Sequence, residues 1–207
     1  MIQIALKNIR LLEVGEGCEP EHYGCDQEWY GSRWRRASGC GPSVVSNIFS
    51  YISRAESGAR AAKSDFTRLM DEVWGCVTPT VRGLPSTAAL CAGIDKYIAY
   101  KGCDLTWREL SVPGRSIRRP SFDEVLDFLG EALAADTPVA FLVLDGGGLD
   151  EWHWVTIVSL VFDKPRGVAS VGIVDSGRLF GADLYNWFRT TTRGGGFVSL
   201  RRASEQK

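Results

Sequence analysis

The sequence predicts an α+β protein: a helical N-terminal portion whose first helix leads from a cysteine, packed on a C-terminal antiparallel sheet. Three observations support this. Capped segments with apolar residues at helical spacing recur between about residues 38 and 136. From about 137 to 202 the apolar residues instead form short runs separated by glycine and turn signals. No repeat, low-complexity tract or linker divides the 207 residues, so one domain spanning 1–207 is expected, with helices before strands as in α+β chains.

The elements follow in order. "MIQIALKNIRLLEV" alternates weakly and predicts an early strand, and the Gly-rich, charged stretch from Glu13 to Arg36 reads as a long loop. A first helix starts near Pro42, whose missing N–H is not needed at a helix start, with Ser38 or Cys40 near the cap. Val44, Val45, Ile48, Phe49 and Ile52 then share one face. Ser64 opens a second helix with Phe66, Leu69, Met70, Val73 and Trp74 inward. Ser86 or Thr87 caps a third, which Gly102 stops. Ser121 and Glu124 form a capping box for a fourth, carrying Val125, Phe128, Leu129 and Leu133. Strands follow in "PVAFLVLDGGG", in "WHWVTIVSLVFD" and "GVASVGIVDSG" joined by "KPRG", and in "GGGFVSLRR".

Composition excludes several classes of function. A net charge of −1 supplies no field for nucleic acid or an anionic membrane, and the clusters Arg33-Trp34-Arg35-Arg36 and Arg118-Arg119 read first as solvated surface and second as a patch for an acidic partner. No apolar run approaches the ~18 residues of a membrane span. The N-terminus lacks the apolar core of a secretory signal, so the expected location is cytoplasmic, or outside the cell by a route without an N-terminal signal. In the cytoplasm the six cysteines are expected to be reduced.

The chemistry centres on "SGCGPSVVSNIFSYI". Cys40 stands between glycines where a helix begins, a setting suited to meeting another molecule. Helix N-termini and an adjacent imidazolium favour the thiolate, the nucleophilic form. Only His22 and His153 can supply that imidazole. His153 lies on a strand whose hairpin partner carries Asp175. A register with its turn at Lys164 sets His153 opposite Asp175, Val155 opposite Ile173 and Ile157 opposite Val171, apolar on apolar. Asp175 is then in reach of the ring. An oxyanion also needs a donor beside the nucleophile. The Cys40 N–H is one, and the amides of Gln27 and Asn47 are the nearby side chains. Asn47, two turns into the helix, is read as pointing away, which favours Gln27.

The order Gln27, "SGCGP" opening a helix, "HWVTI" on a strand and "VDSG" on the next resembles papain-like cysteine peptidases. It is most similar to the branch related to bacteriocin leader-processing peptidases, as a standalone domain. The resemblance implies Cys40 as nucleophile, His153 as base and acid, Asp175 as orienting carboxylate and Gln27 as oxyanion donor. Trp152 stands where that family usually has a small residue.

The expected activity is therefore a cysteine peptidase, cutting a peptide or isopeptide bond of a peptide or protein substrate without a cofactor or metal. The alternatives are acyl transfer with the same residues, or a peptide-binding module using the same cleft, lined by Trp152, Trp154, Trp29 and Trp34. Cys18, His22 and Cys25 make a C-x3-H-x2-C half-site with no second pair to complete a tetrahedral zinc site. Cys76, Cys91 and Cys103 read as small core residues. Gly146-Gly147-Gly148 reads as a mobile edge beside His153, and Gly194-Gly195-Gly196 lacks the context of a phosphate loop.

Overall fold

The structure is a computed structural model that describes residues 1–15, 20–55, 60–114 and 116–203. Its strands are β1 (Ile2–Ala5), β2 (Glu13–Val14), β3 (His22–Tyr23), β4 (Leu105–Pro113), β5 (Val139–Val143), β6 (His153–Asp163), β7 (Val168–Asp175), β8 (Arg178–Asp183) and β9 (Gly194–Arg202). Its helices are α1 (Arg33–Ser38), α2 (Cys40–Arg54), α3 (Lys63–Trp74), α4 (Thr87–Lys101), α5 (Phe122–Ala134) and α6 (Leu184–Thr190).

The sheet is antiparallel, with order β4-β9-β5-β6-β7-β8 and β1 added on β6. Both of its faces are covered. Ala140 and Leu142 of β5, Trp154 of β6 and Val198 and Leu200 of β9 pack with Val44, Val45 and Ile48 of α2 and Leu90 and Ile94 of α4. Val139, Phe141 and Val143 point to the other side, toward Val125, Leu129 and Leu133 of α5 and Trp187 of α6. This double burial explains why β5 reads as an unbroken apolar run and not as an alternation. A third cluster, Val14, Cys25, Tyr30, Phe66, Met70 and Trp74, binds the N-terminal segment to α3.

The predicted caps are present. The Ser121–Glu124 capping box opens α5, Ser86 Oγ accepts from Ala89 N–H at α4, and Gly102 ends α4 in the left-handed region at φ 60. Several elements depart from expectation. The stretch read as a loop contains α1, capped by Ser32 Oγ accepting from Arg35 N–H. The early strand expected near the N-terminus is β1, which joins the sheet on β6, but the sheet also recruits β4 from the portion read as helical, with β4 pairing along its whole length with β9. β8 and α6, the latter capped by Asp183, separate the last two predicted strands. The basic clusters are not simply solvated: Arg35 pairs with Asp71 at 2.7 Å and lies over the Trp74 ring, and Arg119 lies over Phe188.

The β6–β7 register also differs. Ile157 pairs with Ile173 and Thr156 with Val174, but Leu160 pairs with Val171, with an irregularity between Ile157 and Ser159. The connection is a 3-10 turn at Lys164–Arg166 followed by Gly167 at φ 62, which lies further along the chain than a turn centred on Lys164. At the functional end the register is therefore two residues from the expected one, an offset that preserves side-chain parity.

The Gly-Gly-Gly at the start of β9 has a packing cause. A Cβ on Gly195 would sit 1.9 Å from the Leu142 carbonyl oxygen. Gly195→Ala is therefore expected to destabilise the fold by about 2–3 kcal/mol or more, whereas Gly181→Ala, which meets nothing within 4 Å, should be near neutral. Urea denaturation of the two variants checks the contrast.

Candidate active site

Cys40 is the first residue of α2, half-buried, with Gly39 before it and Pro42 two positions on. The first-turn amides of a helix have no intrahelical acceptor and carry the positive end of its dipole. Gly41 lies against Leu84, whose side chain would have to shift for a Cβ there, since that Cβ would meet Leu84 Cδ1 at 2.5 Å. Leu84 is in turn fixed by its carbonyl, which accepts from Trp154 Nε1 at 2.8 Å.

His153 opens β6, and its Nε2 lies 2.8 Å from Asp175 Oδ1 at the end of β7. Both side chains are largely buried. Asp175 also accepts from Ser176 Oγ at 3.2 Å. With Nε2 engaged, Nδ1 is the nitrogen left for the ring's other polar neighbour, the Cys40 thiol. Burial opposes the charged ring, but the hydrogen bonds and charges of Asp175 and Cys40 outweigh it and raise the His153 pKa to about 10. The contact with Asp175 is diagonal, because the register of Thr156 with Val174, continued by one residue, sets Asp175 opposite Val155 and not His153. Two non-glycine residues in the left-handed region flank the pair: Trp152 at φ 55 and Ser176 at φ 47. Ser176 and Gly177 (φ 74) make the tight turn into β8.

Gln27 begins a 3-10 turn capped by Asp26, whose side chain accepts from Glu28 N–H. It lines one small cavity with Cys40, Asn47, Asp175 and Ser176, of about 10 Å³, roughly the space of one oxygen-sized group. The expectation that Asn47 points away is corrected. Seven residues make almost two full helical turns, so Asn47 shares the Cys40 face. Its side chain is committed elsewhere, however: Oδ1 accepts from Cys25 N–H at 2.7 Å and Nδ2 donates to Thr156 Oγ1 at 3.0 Å. Sequence reasoning missed this role, and the helical phase of Asn47 relative to Cys40 was the signal that could have found it.

Other expectations change as well. Trp154 is 1% exposed and belongs to the core. Trp29 packs edge-on against His22, and Trp34 against Trp74. Trp152 remains exposed beside His153. Gly147 is packed against α6, where its N–H donates to Thr190 Oγ1 and a Cβ would meet Trp187 at 2.7 Å. Cys18 lies outside the described residues. His22 sits against Gly177, and the Cys25 thiol is buried, which raises its pKa. Among the described residues no group of three His, Cys, Asp or Glu is placed to hold a metal, and no helix is long and apolar enough to cross a membrane. The larger hollows lie elsewhere. One of about 390 Å³ among Phe49, Ile52, Cys103 and Leu105 includes neither Cys40 nor His153.

No known protein family's model matches this sequence, and no curated protein does. Among solved structures, UfSP from C. elegans is similar, at 10% identity and a TM-score of 0.48. The alignment covers 96% of this chain, which spans about a third (33%) of the UfSP chain. The chemistry therefore rests on the geometry of Cys40, His153, Asp175 and Gln27.

Two outcomes are expected from this geometry. Asn47→Ala leaves a buried backbone N–H and a buried hydroxyl without their partner, and should cost about 2–4 kcal/mol by urea denaturation. The pH dependence follows from His153, whose folded-state pKa lies above its ordinary 6.5. Its charged pairing stabilises the fold fully below pH 6.5 and is lost as pH rises through about 10. The stability gap between wild type and His153→Gln should accordingly be widest below pH 6.5 and narrow toward pH 10, read from denaturation midpoints across that range.

Proposed function

We propose that this chain is a cysteine-dependent hydrolase that cleaves a peptide or isopeptide bond through an acyl-enzyme on Cys40. The observation that carries the reading is the His153 ring, held at 2.8 Å by Asp175 and neighboured by the thiol of Cys40 at the start of a 15-residue helix. Nucleophile, base and orienting group in sequence is the arrangement acyl transfer needs. The papain-like assignment, with its narrower kinship to bacteriocin leader-processing peptidases, belongs to the same proposal. It is supported by the chain order Gln27, Cys40, His153, Asp175 and by a nucleophile helix packed on an antiparallel sheet.

Cys40 Sγ attacks the carbonyl carbon, and the carbonyl oxygen takes the displaced electron pair. The Cys40 N–H and the Gln27 side-chain amide donate to that oxygen, in the small cavity both residues line. As the oxyanion collapses, the C–N bond breaks and His153 gives its proton to the departing amine. Water then attacks the thioester carbon, His153 takes a proton from it, and the Cys40 thiolate leaves. Asp175 keeps the ring oriented with Nε2–H toward itself.

Cleavage of a random peptide library, with Cys40→Ala as the blank, tests this reading. Cys40→Ala should abolish product formation at an unchanged melting temperature. Turnover by that variant would end the nucleophile assignment, and a large fall in melting temperature would favour a packed cysteine. His153→Ala should lower kcat/KM by about 10³-fold or more, and the Cys40→Ala/His153→Ala double variant should lose no more than either single one. Asp175→Asn should lose less, because its amide oxygen still accepts from Nε2–H. Gln27→Ala should lower kcat by about 10²–10³-fold with little change in KM, the signature of a donor used in the transition state.

A further inference from the structure

Trp152 is an unusual residue for its place. It is 54% exposed, it immediately precedes His153, and it adopts φ 55, a conformation that glycine adopts freely and a bulky side chain does not. Its ring is also held. The Arg193 guanidinium lies over it at 5.5 Å to the centroid, and Arg193 Nη1 pairs with Glu151 Oε2 at 3.3 Å. Arg193 is anchored from behind, since its backbone N–H donates to Asp145 Oδ1 at 3.0 Å. Asp145 also accepts from the hydroxyls of Thr191 and Thr192 and from Thr192 N–H. An unbroken series of contacts thus runs from the buried Asp145 carboxylate, two residues past β5, to the exposed indole that immediately precedes His153.

We infer that Trp152, positioned by Arg193, forms the subsite that receives the first residue of the leaving segment and selects a large apolar or aromatic side chain there. The inference rests on the hydrolase reading of Cys40 and His153. In that reaction His153 hands its proton to the departing amine, so the amine nitrogen comes within hydrogen-bond reach of the ring. The residue carried on that nitrogen therefore lies beside whatever adjoins His153 on the rim, and Trp152 adjoins it. One side of the indole is occupied by the guanidinium, and the exposed remainder gains by losing water to an apolar partner. Glu151 and Arg193 offset each other's charge, which leaves the apolar surface as the feature that discriminates. The alternative role for an exposed ring beside a catalytic histidine is a plug that limits access for every substrate alike.

The test reads the leaving segment directly. The acyl half of each cleaved peptide stays on Cys40, and the leaving half departs with a free amine, so each new N-terminus names the residue in this subsite. A random peptide library is digested with wild type, Trp152→Phe, Trp152→Gly and Arg193→Ala, and the new N-termini are sequenced. Wild type should enrich large apolar and aromatic residues roughly 10-fold over their library frequency. Trp152→Phe should keep the preference. Trp152→Gly should lose it while its melting temperature stays the same or rises, because glycine suits φ 55. Arg193→Ala should weaken it through KM with kcat retained. An unchanged preference in Trp152→Gly, or a uniform rise in cleavage at all residues, overturns the subsite. If no cleavage depends on Cys40, and iodoacetamide labels Cys40 no faster than the other thiols, the hydrolase reading fails and the subsite with it. Cys40-dependent cleavage without residue preference overturns the subsite alone.

Discussion

Three segments far apart in the chain meet at the side chain of Asn47, and the geometry of the candidate site depends on that meeting. Its oxygen accepts from Cys25 N–H, two residues before Gln27. Its nitrogen donates to Thr156, three residues after His153. Its own helix carries Cys40 two turns earlier. A single buried amide thereby fixes the helix that opens at Cys40, the loop bearing Gln27 and the strand bearing His153 in one frame. The interaction suits an amide in particular. A carboxylate could not donate to Thr156, and a hydroxyl could not span both partners. Such a polar group is stable inside only because both of its ends are satisfied.

Much of this was legible in the sequence, and the reasons differ by element. The helix caps were readable because Ser121–Glu124, Ser86 and Gly102 act through local hydrogen bonds and local backbone freedom. The pairing of His153 with Asp175 was legible although the register was not, because an offset of two leaves both side chains on the same side of the strand pair. An offset of one would have separated them. α1 was missed because Arg33-Trp34-Arg35-Arg36 has no apolar period, its helicity being fixed by the Ser32 cap and by contacts to α3. β4 was missed because its sequence mixes charge with apolar residues, as an edge strand does, and its partner β9 lies some ninety residues further along. Asn47 was misread by counting turns without their phase.

Strain and clamping are concentrated around the same few residues. Trp152 and Ser176, both left-handed, stand directly beside His153 and Asp175. The strand ends that carry them are pinned from outside the site. Tyr23 N–H donates to Gly177 O, and Asp145 gathers Thr191, Thr192 and Arg193. Burial works against the Asp145 carboxylate, but these donors hold its pKa well below the usual range. Preorganisation of this kind places groups before a substrate arrives, at the expense of local backbone energy.

β6 has two successive neighbours along one edge. β5 pairs with it from His153 to Ile157, β1 from Ser159 to Phe162, and the change falls at the irregularity around Val158, whose carbonyl accepts from Leu6 N–H. On the opposite edge β7 pairs with β6 on both sides of the break and holds the strand together. The irregularity therefore lets one continuous strand exchange β5 for β1 as its neighbour without leaving the sheet. The N-terminal strand is thereby seated on the half of β6 that lies away from His153, and the half that carries the histidine is left to β5 alone on that edge.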